Sequence, residues 1–216
     1  MPPGHDGREW DFHKDAGLSV AKYFQELGAL VPQLPYSALG AIVTIFLEAF
    51  TEQRTVFVFG NGGSAASASH MMCDMNKGMS DVNASKRPKV MALTDNVPLM
   101  SAWANDFGYE QIFSEQLKTF VKPRDVAFAI STSGDSSNVL LALETARKSG
   151  ALTVALAGCQ GGRMKGLCDV CAIVPSDNIR MIEDLHHAMM HSIFTAVREG
   201  LLTGNTRNTL ARAASF

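Results

Sequence analysis

Five near-continuous apolar runs recur along this chain, each followed by a segment of helical periodicity, and that alternation leaves few folds open. The runs lie at 56–59, 89–93, 126–130, 152–156 and 170–174. A strand that faces water on one side alternates apolar with polar residues. Runs that are apolar throughout belong to strands covered on both faces, as in a parallel sheet whose crossover helices lie above and below it. The intervening patterns predict helices at 65–77, near 97–104, and at 109–120, 138–149, 162–167 (short) and 179–202. Two more precede the first run. From Asp15, the residues Leu18, Ala21, Phe24, Leu27 and Leu30 fall near helical spacing, and Pro32 and Pro35 end the segment. A second helix, 37–50, carries Leu39, Ile42, Val43, Phe46 and Leu47 on one side. The expectation is an α/β three-layer sandwich of flavodoxin-like type, a five-stranded parallel sheet flanked by helices, with an N-terminal helical hairpin. Residues 15–203 form its single domain. Residues 1–14 read as a loose arm, 82–87 as a polar loop and 204–216 as a small, polar tail.

The bulk properties exclude several classes. The 216 residues, 46% hydrophobic and 19% charged, suit one soluble globular domain. A formal net charge of -2 gives no electrostatic case for nucleic acid or an anionic membrane. No apolar run is long enough to span a bilayer. The start lacks the basic and then apolar regions of a secretory signal, so the expected location is the cytoplasm. Cys168 and Cys171 have CxxC spacing, but no second pair completes a zinc ribbon, and they read as partly buried thiols flanking a strand.

Two of the runs end in loops suited to an anion. The first is Gly60-Asn61-Gly62-Gly63-Ser64, and the second is Ser131-Thr132-Ser133-Gly134-Asp135-Ser136. Each leads from a strand into a helix, an arrangement that presents backbone N–H groups and a helix N-terminus to a bound anion. Ligands of parallel sheets bind beyond the carboxyl ends of the strands, where both loops stand. The glycine spacing fits neither a P-loop nor the dinucleotide fingerprint. Ser131, Thr132, Ser133 and Ser136 supply hydroxyl donors, and neither loop contains lysine or arginine. Hydrogen bonds and a helix dipole suit a phosphomonoester better than a triphosphate. Either loop alone also reads as an ordinary turn with an N-cap; two at equivalent sheet positions favour the phosphate.

A second constellation lies on helices. Glu183, His187 and His191 are spaced i, i+4, i+8 and share one helical face; His70 and Asp74 are i, i+4 on an earlier helix. Two stripes of carboxylate and imidazole suit a four-ligand site for a divalent cation, zinc being favoured by imidazole. They equally suit a general base and a general acid around a carbonyl. His186 reads as a solvated or hydrogen-bonded polar residue, and His187 reads either way.

These motifs together resemble the sugar isomerase (SIS) domain family, whose phosphosugar loop reads Ser-Thr-Ser-Gly, and within it the phosphoheptose isomerase branch. The Gly-Asn-Gly-Gly-Ser…His block appears as residues 60–64 with His70. An Asn-Asp-Phe-Gly block appears as Asn105-Asp106-Phe107-Gly108, and Ser-Thr-Ser-Gly-x-Ser-x-Asn as residues 131–138. The resemblance implies an aldose–ketose isomerase of sedoheptulose 7-phosphate, working through an enediol. It implies a phosphate seated on Ser131, Thr132, Ser133 and Ser136, and a sugar met by Asn61, Gly62, Ser64 and Asp95. Asp74 would be the catalytic base and His191 the acid. His70, Asp74, Glu183 and His191 would surround a divalent metal, zinc above others. A homotetramer with active sites at subunit boundaries is also implied. The chain departs from the branch in places: Asp74 stands for the usual Glu, Glu183 for Gln, and Lys77 for an arginine. Ser67 and Ser69 stand for Asp and Gln. The alternative is a non-catalytic sugar-phosphate-binding regulator or assembly protein, of the kind that associates with a replication initiator.

Overall fold

A computed structural model describes residues 14–82 and 87–203. The expected arm (apart from Lys14), the tail 204–216, and residues 83–86 of the expected loop lie outside the described residues. The chain divides between Gln33 and Leu34 into two compact units. In the first, helix α1 (Lys14–Leu30) runs into a 3-10 turn at Val31–Gln33. The predicted helix forms, and Pro32, which lacks an N–H, sits in the tighter turn that ends it.

The second unit holds the sheet. Helix α2 (Tyr36–Thr51) leads into β1 (Thr55–Gly60), α3 (Gly63–Gly78), β2 (Lys89–Ala92), α4 (Val97–Phe107) and α5 (Ser114–Phe120). Then come β3 (Val126–Ser131), α6 (Ser137–Lys148), β4 (Leu152–Ala157), β5 (Val170–Ile173) and α7 (Ile179–Leu202). All five predicted strands form, within a residue or two of their expected ends. They pair in parallel in the order β2-β1-β3-β4-β5. The chain moves outward from β1 to β2 and then returns past β1 to β3. That reversal opens a crevice at the carboxyl ends of β1 and β3, where Gly60 pairs with Ile130.

Both faces of the sheet are covered. Phe57, Phe59, Ala127, Ala129 and Ala155 pack with Ile112, Phe113, Leu117, Val139 and Leu143 from the α5 and α6 side. On the opposite face α2, α3 and α7 pack against the strands and α7 against both of the others; Phe46 of α2 meets Phe128 of β3 edge-on at 5.5 Å. Asn96 caps α4 by accepting from the Leu99 N–H at 3.1 Å, and Asn178 caps α7 by accepting from Arg180 at 3.0 Å. No single helix among the described residues is long and apolar enough to cross a membrane.

One expected helix is broken. Residues 109–120 form a 3-10 turn, Tyr109–Gln111, and then α5. Ile112 and Phe113 are both fully buried. These two residues form the turn that separates the elements, and both reach the core along with Leu117. The predicted short helix near 162–167 is likewise a 3-10 turn, Arg163–Gly166.

Candidate active site

The serine loop is held by its own chain. Ser131 is buried, and its Oγ accepts from the Gly134 N–H at 3.2 Å; Ser133 Oγ accepts from the Asp135 N–H at 3.2 Å. Gly134 adopts φ +68°. A Cβ there would lie 2.2 Å from the Gly161 carbonyl oxygen, so no larger residue fits. The loop's carbonyls are anchored from outside: Thr132 accepts from the Gly158 N–H at 3.1 Å and Gly134 from the Met164 N–H at 2.9 Å. Ser136 is the N-cap of α6 but makes no side-chain capping bond, which leaves that helix end open to an external acceptor.

The first loop is joined to the second by an amide pair. Asn61 Nδ2 donates to Asn138 Oδ1 at 2.8 Å, and Asn138 Nδ2 returns the bond to Asn61 Oδ1 at 2.8 Å. Each such half-buried bond contributes about 0.5–1.5 kcal/mol. The Tyr109 hydroxyl donates to Asn61 Oδ1 at 3.2 Å. Asn61 is therefore a tie between the loops as well as a candidate sugar contact. Gly62 turns the chain into α3 with φ +55°, and Ser64 is buried in its first turn. Asp95, beyond β2, accepts a hydrogen bond from Ser69 of α3 and one from Thr94 at 3.3 Å.

Arg163 is a residue that motif reading missed. No basic residue lies within the loop, yet the fold brings this guanidinium to it from 28 positions away. Its Nε donates to Asp135 Oδ1 at 3.0 Å, its Nη2 to the Asp135 carbonyl at 3.1 Å, and its backbone N–H to Oδ1 at 3.1 Å. The backbone bond, then the guanidinium, hold the Asp135 carboxyl below its ordinary pKa. Only an Arg at long sequence separation signalled this, and one sequence offers many.

The histidine face assembles where α3 packs on α7. His70 Nε2 and His191 Nε2 stand 3.1 Å apart. Asp74 Oδ2 lies 3.2 Å from the first and 3.5 Å from the second. Three of the four residues expected here are therefore brought together. Glu183 points elsewhere: its Oε2 takes a 3.3 Å bond from Arg180 Nη1, and its Oε1 lies 2.9 Å from where a side chain on Gly63 would begin. That places its carboxylate at the N-terminus of α3, where the helix dipole favours negative charge.

His187 joins the face. One ring nitrogen from each of His70, His187 and His191 forms a group lying within 4.8 Å of one another. Burial first, then the neighbouring His70 and His191, push the His187 pKa down, while Asp74 and Asp184 pull it up. His186 is not solvated, and its ring lies close to the Ala157 carbonyl. It is buried, and neither ring nitrogen closes a hydrogen bond. Burial dominates and lowers its pKa, although the Ala157 carbonyl and the Glu183 charge act in the opposite direction. The CxxC thiols are partly buried as expected. Burial pushes Cys171 up to about 11 and Cys168 higher still, so both stay protonated at neutral pH.

The SIS domain family matches residues 22–158. A phosphoheptose isomerase of Rhodospirillum rubrum is 38% identical over 183 residues, covering 85% of this chain and 94% of that protein. One from Akkermansia muciniphila is 36% identical over 189 residues, covering 87% and 95%. The solved phosphoheptose isomerase of Neisseria gonorrhoeae superposes with a TM-score of 0.78 at 28% identity, covering 85% of this chain and 99% of that one. The chain belongs to the SIS domain family and, within it, to the phosphoheptose isomerases.

Proposed function

We propose that this protein is a phosphosugar aldose–ketose isomerase acting on sedoheptulose 7-phosphate or a close analogue. The observation that carries the reading is the convergence of Asp74 Oδ2 on two imidazole Nε2 atoms, at 3.2 and 3.5 Å, on the helix that starts at the first loop.

In this reading Ser131, Thr132, Ser133 and Ser136 hold the phosphate with the open end of α6. Asn61, Gly62, Ser64 and Asp95 meet the sugar. Isomerisation moves a proton between neighbouring carbons through an enediol. Asp74 takes the proton from the carbon beside the carbonyl while His191 gives one to the carbonyl oxygen. Both transfers then reverse onto the neighbouring positions, so no proton is lost overall. Asp74 Oδ2 faces the imidazoles, which leaves Oδ1 for the substrate proton.

The donor set also fits a divalent cation. A tetrahedral zinc with bonds of 2.0–2.1 Å spaces its ligand atoms about 3.3 Å apart. The His70–His191, His70–Asp74 and His191–Asp74 separations of 3.1, 3.2 and 3.5 Å match one face of such a tetrahedron. His70, Asp74 and His191 would hold the ion; the fourth expected ligand, Glu183, is turned toward Arg180. When bound, with His191 Nε2 occupied and unable to give a proton, the ion would polarise the carbonyl in that proton's place or fix the ring-opened sugar. A homotetramer working in the cytoplasm completes the proposal. Val97, Phe107, Phe120 and Ile179 are exposed apolar side chains available for subunit contacts.

The test is turnover. The protein is incubated in deuterated buffer, with and without zinc, with sedoheptulose 7-phosphate and other ketose phosphates, and proton exchange is followed by NMR. Exchange and conversion to the aldose are expected. Thermal stabilisation by a sugar phosphate without exchange would defeat the isomerase reading and favour a sugar-phosphate-binding regulator.

A further inference from the structure

We infer that His187 is a metal ligand in this chain, joining His70 and His191 in a three-histidine set to which Asp74 adds a carboxylate, and that Glu183 stands outside it. This rests on reading the α3–α7 face as a divalent-cation site and changes its fourth ligand. Spacing alone does not choose between the two candidates, because Glu183 and His187 lie one turn apart on the same face of α7.

Geometry does choose. The His70 and His187 rings have centroids 4.8 Å apart, and those of His187 and His191 are 5.4 Å apart. One ring nitrogen from each of the three lies within 4.8 Å of the others. A tetrahedral spacing near 3.3 Å requires a movement of about 1.5 Å at most, within reach of a side-chain torsion. His187 is also aimed. Its Nδ1 lies 3.3 Å from the Ser67 hydroxyl on α3. A hydrogen bond at one ring nitrogen fixes tautomer and orientation and leaves Nε2 for an ion. Glu183, by contrast, is held by Arg180 and rests at the N-terminus of α3. To coordinate, it would give up both of these interactions.

The chemistry agrees with the geometry. Three imidazoles and one carboxylate suit zinc or cobalt(II) better than magnesium or calcium, which prefer all-oxygen sites. With His187 as ligand, Glu183 keeps its charge beside the first loop, where it faces whatever sugar hydroxyls enter there.

The experiment reads metal binding directly. Chelator-stripped full-length protein is titrated with cobalt(II), following the visible d–d absorption, and with zinc against a chromophoric chelator. Wild type should bind saturably with the intense absorption of a four-coordinate site. His187→Ala should weaken zinc by about 100-fold or more and lose that band, while Ser67→Ala should weaken it by about tenfold. Glu183→Ala should stay within about threefold of wild type, since by this assignment it removes no ligand. Circular dichroism melting checks that each variant folds; His187→Gln, closer in volume, replaces the alanine variant if that one does not. Wild-type affinity and spectrum in a folded His187 variant, with loss in Glu183→Ala, would overturn the assignment and leave the cation reading standing. No saturable binding by the wild type would overturn both.

Discussion

The serine loop and the histidine face are built in opposite ways. The loop is closed within a few residues: Ser131 and Ser133 accept from the N–H groups of Gly134 and Asp135, and Gly134 has a conformation and a neighbour that admit only glycine. The face has no such local scaffold. His70 and His191 are 121 residues apart and meet only because α3 packs on α7. Their side chains remain 44% and 53% exposed. A seat for a constant group, a phosphate, can be rigid and preformed. A centre that moves protons needs groups that reach a carbonyl and change protonation, and open side chains on two helices provide that.

The contrast can be broken at either end. The largest effect is expected on the face. His191→Ala or Asp74→Asn should lower turnover by about 10²–10⁴-fold, the usual worth of a positioned acid or base. Binding of inorganic phosphate, measured by calorimetry, should be unchanged. Turnover within a few-fold of wild type would remove these residues from the chemistry.

A smaller effect is expected in the loop. Gly134→Ala places a Cβ against the Gly161 carbonyl at a positive φ, a strain of about 1–3 kcal/mol. Denaturant unfolding should show that loss, and steady-state kinetics should show KM for the sugar phosphate rising with kcat largely retained. An unchanged KM would mean that the phosphate sits elsewhere.

The smallest effect is a pH dependence of stability from His186. Its folded pKa is lowered, so the native state binds fewer protons than the unfolded state, whose histidine titrates near about 6.5. Its contribution is therefore present above that pH and is lost as pH falls toward the folded value, with a slope of at most about 1.4 kcal/mol per pH unit. Melting of chelator-treated protein between neutral and mildly acid pH should show the decline, and His186→Leu should flatten it. An equal slope in the variant would assign the effect to other groups.

Much of this was legible in the linear chain. The five strands, the parallel sheet and α7 followed from the period and length of apolar runs, because burial on both faces leaves no polar positions. The two loops were legible because the small and hydroxyl residues that form them are adjacent in sequence. The break between the 3-10 turn at 109–111 and α5 was not, because it depends on Ile112 and Phe113 both finding places in a core that the sequence does not display. Arg163 and the Asn61–Asn138 tie were missed for the same reason. Their partners are 28 and 77 positions away, and a hydrogen bond at that separation leaves no periodic trace.

His186 and His187 mark the boundary most clearly. They are neighbours in sequence with the same chemistry. One is buried with neither ring nitrogen hydrogen-bonded, and the other stands with His70 and His191 beside Ser67. A step of one residue turns a helix by about 100°, so which imidazole meets the core and which the site depends on how α7 is rotated against α3. The sequence by itself determined that helices and strands alternate, that two loops would cradle an anion, and which residue types were available for acid–base or metal chemistry. Only the packing of α3 on α7 decided which of those residues converge, because convergence across 121 positions depends on helix rotation and contact rather than on local periodicity.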